Sequence, residues 1–366
     1  MWLQLLLIFI AFVVLQVIQD KETPIKKHKY IVFITVMLIL QSGLRHLAVG
    51  SDTYSYFMNF EEIRHASWQS IFQDIYSSLF EDGIKDPGYR LFEKCFITIL
   101  PSYRLFLFFV AIVFFVPFCR VAERNLSCCR QVFLFFCIYQ TIFYDFFSIT
   151  GLRQTLATIA ILLGVGYIQE NKLVKFILVT LIASLIHNSV LLILPFYFIA
   201  KIPKSKYVLL AVILSLPYFI VTARYWAVLL GNISGKERYL AYANSTYETE
   251  GAQNFLLFIA AGCLLILVAK WRNPGSISDI LVNACALGLL FAPLTWVDPS
   301  LMRVGQYFSL FALIAIPKAI DNLGTNKQLS NAIYIVMFVL LIATIIRHNA
   351  PYAFFWDYMQ LGENYR

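Results

Sequence analysis

Charge is what this chain has least of. Charged residues make up 14% of its 366 positions, where soluble domains run near roughly 25%, and 60% of the chain is hydrophobic. That scarcity excludes a soluble globular protein. The seven cysteines lack metal-ligand spacing: Cys119, Cys128 and Cys129 cluster in one polar connection, and Cys95, Cys137, Cys263 and Cys285 sit in apolar runs. They are expected as free thiols, not as a disulfide framework or a zinc site. There is no P-loop and no GxGxxG, no Asp-x-Asp, and no His/Asp cluster at ligand spacing, so neither a metal nor a cofactor is expected. The net charge of +8 comes without any soluble basic domain, and nucleic acid is not an expected partner. Repeats and low-complexity tracts are absent too, which gives one domain over 1–366. No basic stretch precedes the apolar Met1–Ile18, so this segment is expected as a first transmembrane helix and not as a cleavable signal.

What is abundant is apolar length. Spanning the hydrocarbon takes about 20 residues, and candidate spans fall near 2–18, 30–44, 103–119, 131–149, 151–169, 206–223, 253–270, 279–296, 303–318 and 328–346. The stretch 173–200 is too long for one helix and short for two. Its middle reads Ile186-His187-Asn188-Ser189, and two short helices meeting at a polar elbow are expected there. Irregular backbone at membrane depth must be buried in protein or line a cavity, so the elbow should face inwards. The fold class expected is an all-α polytopic integral membrane protein of about 11–13 transmembrane helices. The 33 Phe and 21 Tyr suit lipid-facing helices and interfacial belts. Two polar connections are long, 45–102 and 224–252. Within the first, 57–84 places Phe57, Phe60, Ile63, Ile71, Ile75 and Leu79 at helical spacing, which predicts short amphipathic helices. Residues 88–100 read as a partial helix cut short by Pro101, and the aromatic tail 348–366 as an interfacial anchor.

Lysines and arginines set the orientation. Short, cation-dense loops recur on every second turn: Lys21, Lys26, Lys27 and Lys29; Arg120, Arg124 and Arg130; Lys172 and Lys175; Lys201, Lys204 and Lys206; Lys270 and Arg272; Lys318 and Lys327. These are expected on the cytoplasmic side, with both termini outside. Arg45, Asp52, Arg90, Arg153, His187, Arg303 and Arg347 then gather at the outer face, as does the 224–252 connection with Arg238, Tyr239, Tyr242 and Tyr247.

Arg153 is the sharpest single signal. It stands between two apolar runs in Thr150-Gly151-Leu152-Arg153-Gln154, and an arginine there must snorkel, pair or meet a ligand. Asp145 on the preceding helix is one available partner, and Gln154 adds hydrogen-bonding capacity. Arg303 follows Asp298-Pro299, with Gln306 and Tyr307 at i+3 and i+4; an Arg303–Asp298 pair is the plain alternative. Arg45 and Arg90 flank glycine-containing turns and can instead pair with Asp52 or Asp86. Together the four arginines suggest an anion clamp, because guanidinium forks suit phosphate oxygens. His187 is the first candidate for proton transfer, and a hydrogen-bonded elbow residue is its equal alternative. Asp52 is a second candidate base, and His46 ranks lower. Tyr54, Tyr56, Trp68, Tyr89 and Trp296 suit sugar stacking or, for most of them, the aromatic belt.

The run Arg45…Val49-Gly50-Ser51-Asp52-Thr53…Tyr56 resembles the R-x(3)-V-G-[ST]-D-T-x(2)-Y signature of EpsG/Wzy-like polysaccharide polymerases. Asp86-Pro87-Gly88-Tyr89, Gly151-Leu152-Arg153-Gln154, His187-x-Ser189 and Met302-Arg303…Tyr307 follow in the family's order. Ser51 stands where Thr is common, and Asp86 where Glu is common. The resemblance implies a bacterial inner-membrane polymerase of O-antigen, capsule or exopolysaccharide. Such an enzyme moves a growing glycan from undecaprenyl pyrophosphate onto a new lipid-linked repeat unit at the outer face, without a nucleotide sugar. In that reading His187 or Asp52 is the base, and Arg153, with Arg45, Arg90 and Arg303, holds pyrophosphate. Gln154, Tyr56 and Tyr307 contact substrate, and the displacement is metal-independent and inverting. A chain-length regulator is a partner implied by the family alone. The rivals are an O-antigen ligase, whose large outer loop falls late in the chain, and a lipid-linked glycan flippase, for which internal symmetry is expected and not found.

Overall fold

The structure is a computed structural model that describes residues 1–18, 22–50, 52–80, 86–234, 250–323, 327–348 and 351–358. Ser51 of the signature run, and Arg238, Tyr239, Tyr242 and Tyr247 of the second long connection, lie outside the described residues. Among the described residues the fold is all helix, with no strand. The helices are α1 Trp2–Ile18, α2 Pro24–Gly43, α3 Thr53–His65, α4 Trp68–Phe80, α5 Pro87–Ile99, α6 Tyr103–Asn125, α7 Cys129–Ile138, α8 Leu152–Gln169 and α9 Leu173–Ile186. They continue as α10 Phe196–Ile199, α11 Ser205–Val221, α12 Ala223–Ser234, α13 Glu250–Arg272, α14 Asp279–Phe291, α15 Met302–Ser309, α16 Ala312–Asp321 and α17 Lys327–His348.

Four described helices are long and apolar enough to cross a membrane alone, at 103–125, 253–272, 279–296 and 327–348, and a fifth span is available if the pair α11–α12, bent by 85°, counts as one. Shorter apolar helices at 2–18, 129–143, 173–186 and 188–199 add to these. The fold is therefore a polytopic all-α membrane protein. The expected span 303–318 is divided into α15 and α16. The stretch 173–200 is divided at His187, between α9 and a 3-10 turn Asn188–Ile193.

The chain forms two compact units, Met1–Leu191 with Phe338–Arg366, and Leu192–Met337. The first is packed around phenylalanines. Phe114 stacks on Phe118 and Phe147 at 5.5 and 5.4 Å, and Phe118 meets Phe135 at 4.9 Å. Gln41 and Gln140 exchange amide hydrogen bonds of 3.1 and 2.6 Å, and Gln4 donates to the Gln140 carbonyl. Buried amides joined this way tie helices together where lipid supplies no hydrophobic drive. Two of the short cationic loops meet at one end: Lys27 Nζ donates to the carbonyls of Glu123 and Leu126, and Glu22 accepts from the Cys129 amide. In the second unit, the Asn283 amide donates to the carbonyls of Ile199 and Ile202, 3.0 Å each, where the chain breaks after α10.

The helices of the first long connection pack on one another and on α6 and α8. Phe60, Ile63 and Ile71 are buried in one cluster with Tyr89, Ile97, Phe106 and Leu152. Phe57, Phe60, Ile63 and Ile71 of the stripe that predicted α3 and α4 thus pack on protein, and α5 joins them. Lys94 of α5 reaches the carbonyls of Ile63, Arg64 and Ala66 at 3.2, 3.4 and 2.6 Å. It satisfies the open end of α3, where a cation is favoured.

Candidate active site

The site grows from three places where a helix begins or ends. Asp86 precedes Pro87, which starts α5 with a ring that needs no amide partner. Asp86 itself takes the left-handed conformation, φ 54°, which aspartate tolerates better than most residues. Gly88 lets this turn approach α9: a Cβ there would stand 2.5 Å from the Leu185 carbonyl oxygen. The side chain of Asp86, 4% exposed, is thereby held at the elbow. Its Oδ2 lies 3.2 Å from His187 Nδ1 and 3.2 Å from Arg153 Nη1, and its Oδ1 accepts from the Asn188 amide at 3.4 Å. His187 is 5% exposed. His187 of the elbow thus faces protein, while Asn188 beside it is exposed.

Arg153 reaches Asp86 from the first turn of α8. The preceding helix loosens into π-helical turns over Tyr139–Phe143 and Asp145–Thr150 before Gly151, a distortion that frequents functional sites. Hydroxyls take up the carbonyls left behind: Thr155 donates to Phe147 and Thr150 to Asp145, both at 2.8 Å. The Arg153 guanidinium lies 5.6 and 5.8 Å from the rings of Tyr56 and Tyr89, within cation–π reach. Its partner is Asp86, while Asp145 has His348 nearby at 3.7 Å.

The signature run supports this corner more than it enters it. Gly50 has φ +93°, and a Cβ on it would strike Ile149. Thr53 donates from one hydroxyl towards Val49 and Ile149 carbonyls, 2.7 and 3.2 Å away. The loop is thereby seated on the end of the π-helical turns. Asp52 stands at the start of α3 without a side-chain capping bond, and His46 accepts from the Ala48 amide. Among the described residues of this run, Tyr56 is the one whose ring meets Arg153.

Within the first unit, Arg45, Arg90 and Arg153 do not share one seat. Arg90 joins Glu62 of α3 and Asp74 of α4, each at 3.0 Å, so it braces three helices. Arg45 lines a separate cavity. Arg303 lies in the first turn of α15 in the other unit, half-buried, with Gln306 and Tyr307 buried further along. Gln154 is buried beside Arg153 on α8. The structure therefore gathers Arg153, His187 and Tyr56, and adds Asp86 and Tyr89.

One further residue was not singled out from the sequence. Glu93, wholly buried on α5, accepts from the Asn59 amide at 2.7 Å. Burial pushes its carboxyl up to about 8, against the pull of the Tyr89 hydroxyl and of Arg153 and Arg90. Its neutral form is thereby favoured, and the carboxylate that pairs with Arg153 is Asp86. An acid four residues after Tyr89, on the same helix face, was the available signal.

Compared with known proteins, the chain matches the model of the EpsG family over residues 28–359. None of the curated proteins and none of the solved structures matches it.

Proposed function

The chain belongs to the EpsG family, and on that footing we propose that it is a polysaccharide polymerase of a bacterial cytoplasmic membrane, working on glycans linked to undecaprenyl pyrophosphate. Membership itself points to polysaccharide polymerisation. The observation that carries the finer reading is the triad Asp86–His187–Arg153, a carboxylate that touches an imidazole and a guanidinium at 3.2 Å each.

The chemistry follows from those roles. Asp86 accepts from Nδ1–H of His187, which fixes the tautomer and leaves Nε2 as the base. Nε2 takes the proton of an acceptor sugar hydroxyl as its oxygen bonds to the anomeric carbon of the growing chain. The bond from that carbon to the pyrophosphate oxygen breaks, and its electron pair leaves with the lipid pyrophosphate. Arg153 has five N–H donors, and those not spent on Asp86 meet the charge that develops on the leaving group. Preorganised donors of this kind supply several kcal/mol. A single displacement inverts the anomeric centre. Tyr56 and Tyr89 bring their rings to the guanidinium, and half-buried Tyr56 offers a face to sugar. The short cationic loops support an orientation that turns this site outwards.

The test is a gel of surface glycan from a deletion strain complemented with wild type or Arg153→Ala. A single repeat unit on the final acceptor in the deletion, with the ladder restored by wild type alone, supports the polymerase and the role of Arg153. Long chains retained on the lipid carrier would make the protein a ligase. Repeat units trapped at the inner face would make it a flippase.

A further inference from the structure

Helix α3 presents two polar faces. Tyr56 and Asn59 look to the corner of Arg153, Arg90 and Glu93. Phe57, Glu61 and Arg64, at i, i+4 and i+7, line a cavity of about 430 Å³ on the other side, together with Arg45, Tyr103 and Arg104. Arg45 is 2% exposed. Its Nη1 donates to the Ser42 carbonyl and hydroxyl, at 2.5 and 3.3 Å. Its Nε and Nη2 are buried without a hydrogen-bond partner, and among the described residues no carboxylate pairs with it. The one acid in the lining, Glu61, is held by Arg64 at 2.8 Å. Arg104 lies 3.4 Å above the ring of Phe355, and the tail that carries this ring is pinned to the loop after α2 by the bonds His46 N to Ala353 O and Phe355 N to Leu44 O. A buried guanidinium with two open donors, set in a cavity with two more arginines, needs an anion of matching fork geometry.

We propose that this cavity seats the pyrophosphate of the acceptor, the lipid-linked repeat unit that receives the growing chain; the assignment rests on the polymerase reading above. The reaction itself separates the two pyrophosphates. The donor's pyrophosphate is bonded to the carbon under attack, so it must lie beside His187 and Arg153. The acceptor is used at the far end of its oligosaccharide, so its pyrophosphate lies a few sugars away from the chemistry. A helix with its side chains is about 10–12 Å across, a separation that a short oligosaccharide spans. Placing α3 between two anion seats fits one substrate on each side.

The shared chemistry is a phosphate group on a lipid, and an ordinary phospholipid headgroup is the other source of it. The purified protein in detergent is titrated with a short-chain polyprenyl pyrophosphate that carries no sugar, and polymerisation of lipid-linked repeat units is measured in parallel. Two binding sites are expected in the wild type. Arg104→Gln at the rim should leave one, and so should Arg45→Lys, which keeps the buried charge while losing the fork. Arg153→Gln should remove the other. Loss of charge-assisted bonds predicts a KM for the repeat unit raised about tenfold or more in Arg104→Gln, against a smaller change in the rate at saturation. A single site with normal polymer formation overturns this inference and leaves the polymerase standing. So does displacement of the probe by phosphatidylglycerol at equal concentration. Two sites with no polymer formed from repeat units would instead remove the polymerase reading, and the acceptor role with it.

Discussion

Replacing Asp86 with asparagine tests the proposed chemistry most directly, because it changes charge and almost nothing in shape. The carboxylate is buried, and it touches Arg153 and His187 at 3.2 Å each. Breaking a buried pair by removing one partner costs about 3–5 kcal/mol in general. Here the Arg153 side chain is 26% exposed and asparagine still accepts a hydrogen bond, so a loss nearer about 2–3 kcal/mol is expected, and the fold should survive. Catalysis should suffer far more. Without a carboxylate on Nδ1 the imidazole loses its preferred tautomer and its compensation when protonated, and general-base catalysis is worth about 10²–10⁴ in rate. The assay is polymerisation of a synthetic lipid-linked repeat unit by purified protein, read as a ladder over time, with thermal unfolding followed in the same detergent. Asp86→Asn and His187→Gln should each reduce the rate by that factor, and the double variant should fall little further, since residues acting as one unit are strongly non-additive. A rate within about threefold of wild type for Asp86→Asn, or losses that simply multiply in the double variant, would refute the pairing of this acid with this base.

Glu93 gives a prediction in pH. Its folded value of about 8 stands above the ordinary 4.5, so between those values the unfolded chain has released a proton that the folded chain keeps. Stability therefore falls as pH rises through that window, by about 1.4 kcal/mol per pH unit at most, and is level above it. The unfolding temperature of Glu93→Gln should lack this decline, and parallel profiles for the two proteins would count against a protonated Glu93. Gly88→Ala forces a Cβ against the Leu185 carbonyl at 2.5 Å, and a displacement of Asp86 by about 1 Å should lower the polymerisation rate about 10²-fold with normal membrane levels. Gly166→Ala, where a Cβ would meet nothing within 4 Å, is the matched control and should be active.

Much of the helical outline was legible because apolar length and punctuation are local. The polar run at Ile186-His187-Asn188 marked the break in 173–200, and α9 ends at Ile186. The span expected at 30–44 lies within α2, which starts earlier, at Pro24, where the Thr23 hydroxyl accepts from the Lys26 amide. The isolated charge of Arg153 was visible for the same reason. Its counter-ion was not. Asp145 is nearer in sequence, yet Asp86, 67 residues away, makes the contact; that choice depends on a left-handed turn and on a glycine at one helix crossing. Arg90 shows the converse. As a motif neighbour it suggested a ligand contact, but two acids on α3 and α4 claim it, and their positions relative to α5 are tertiary. Glu93 was hidden by its own burial, since an acid next to Lys94 and three residues after Arg90 reads as a surface position until the neighbouring helices are in place.

The three members of the site share one circumstance. Asp86 precedes a helix, His187 follows one, and Arg153 begins one just after π-helical turns. In lipid a regular helix satisfies its own backbone and has no polar groups to offer, so chemistry must be built where regularity stops. Each stop then leaves backbone groups that need partners. The Asn188 amide finds Asp86 Oδ1, and the loosened carbonyls of Asp145, Phe147 and Ile149 find the hydroxyls of Thr150, Thr155 and Thr53. The threonines that flank the arginine are therefore part of what holds it at the corner, and Asp86 serves the backbone of the elbow as well as its imidazole. That double duty explains why an acid, and not a neutral acceptor, stands at the turn: one carboxylate oxygen is available to both the imidazole and the guanidinium while the other closes the broken helix.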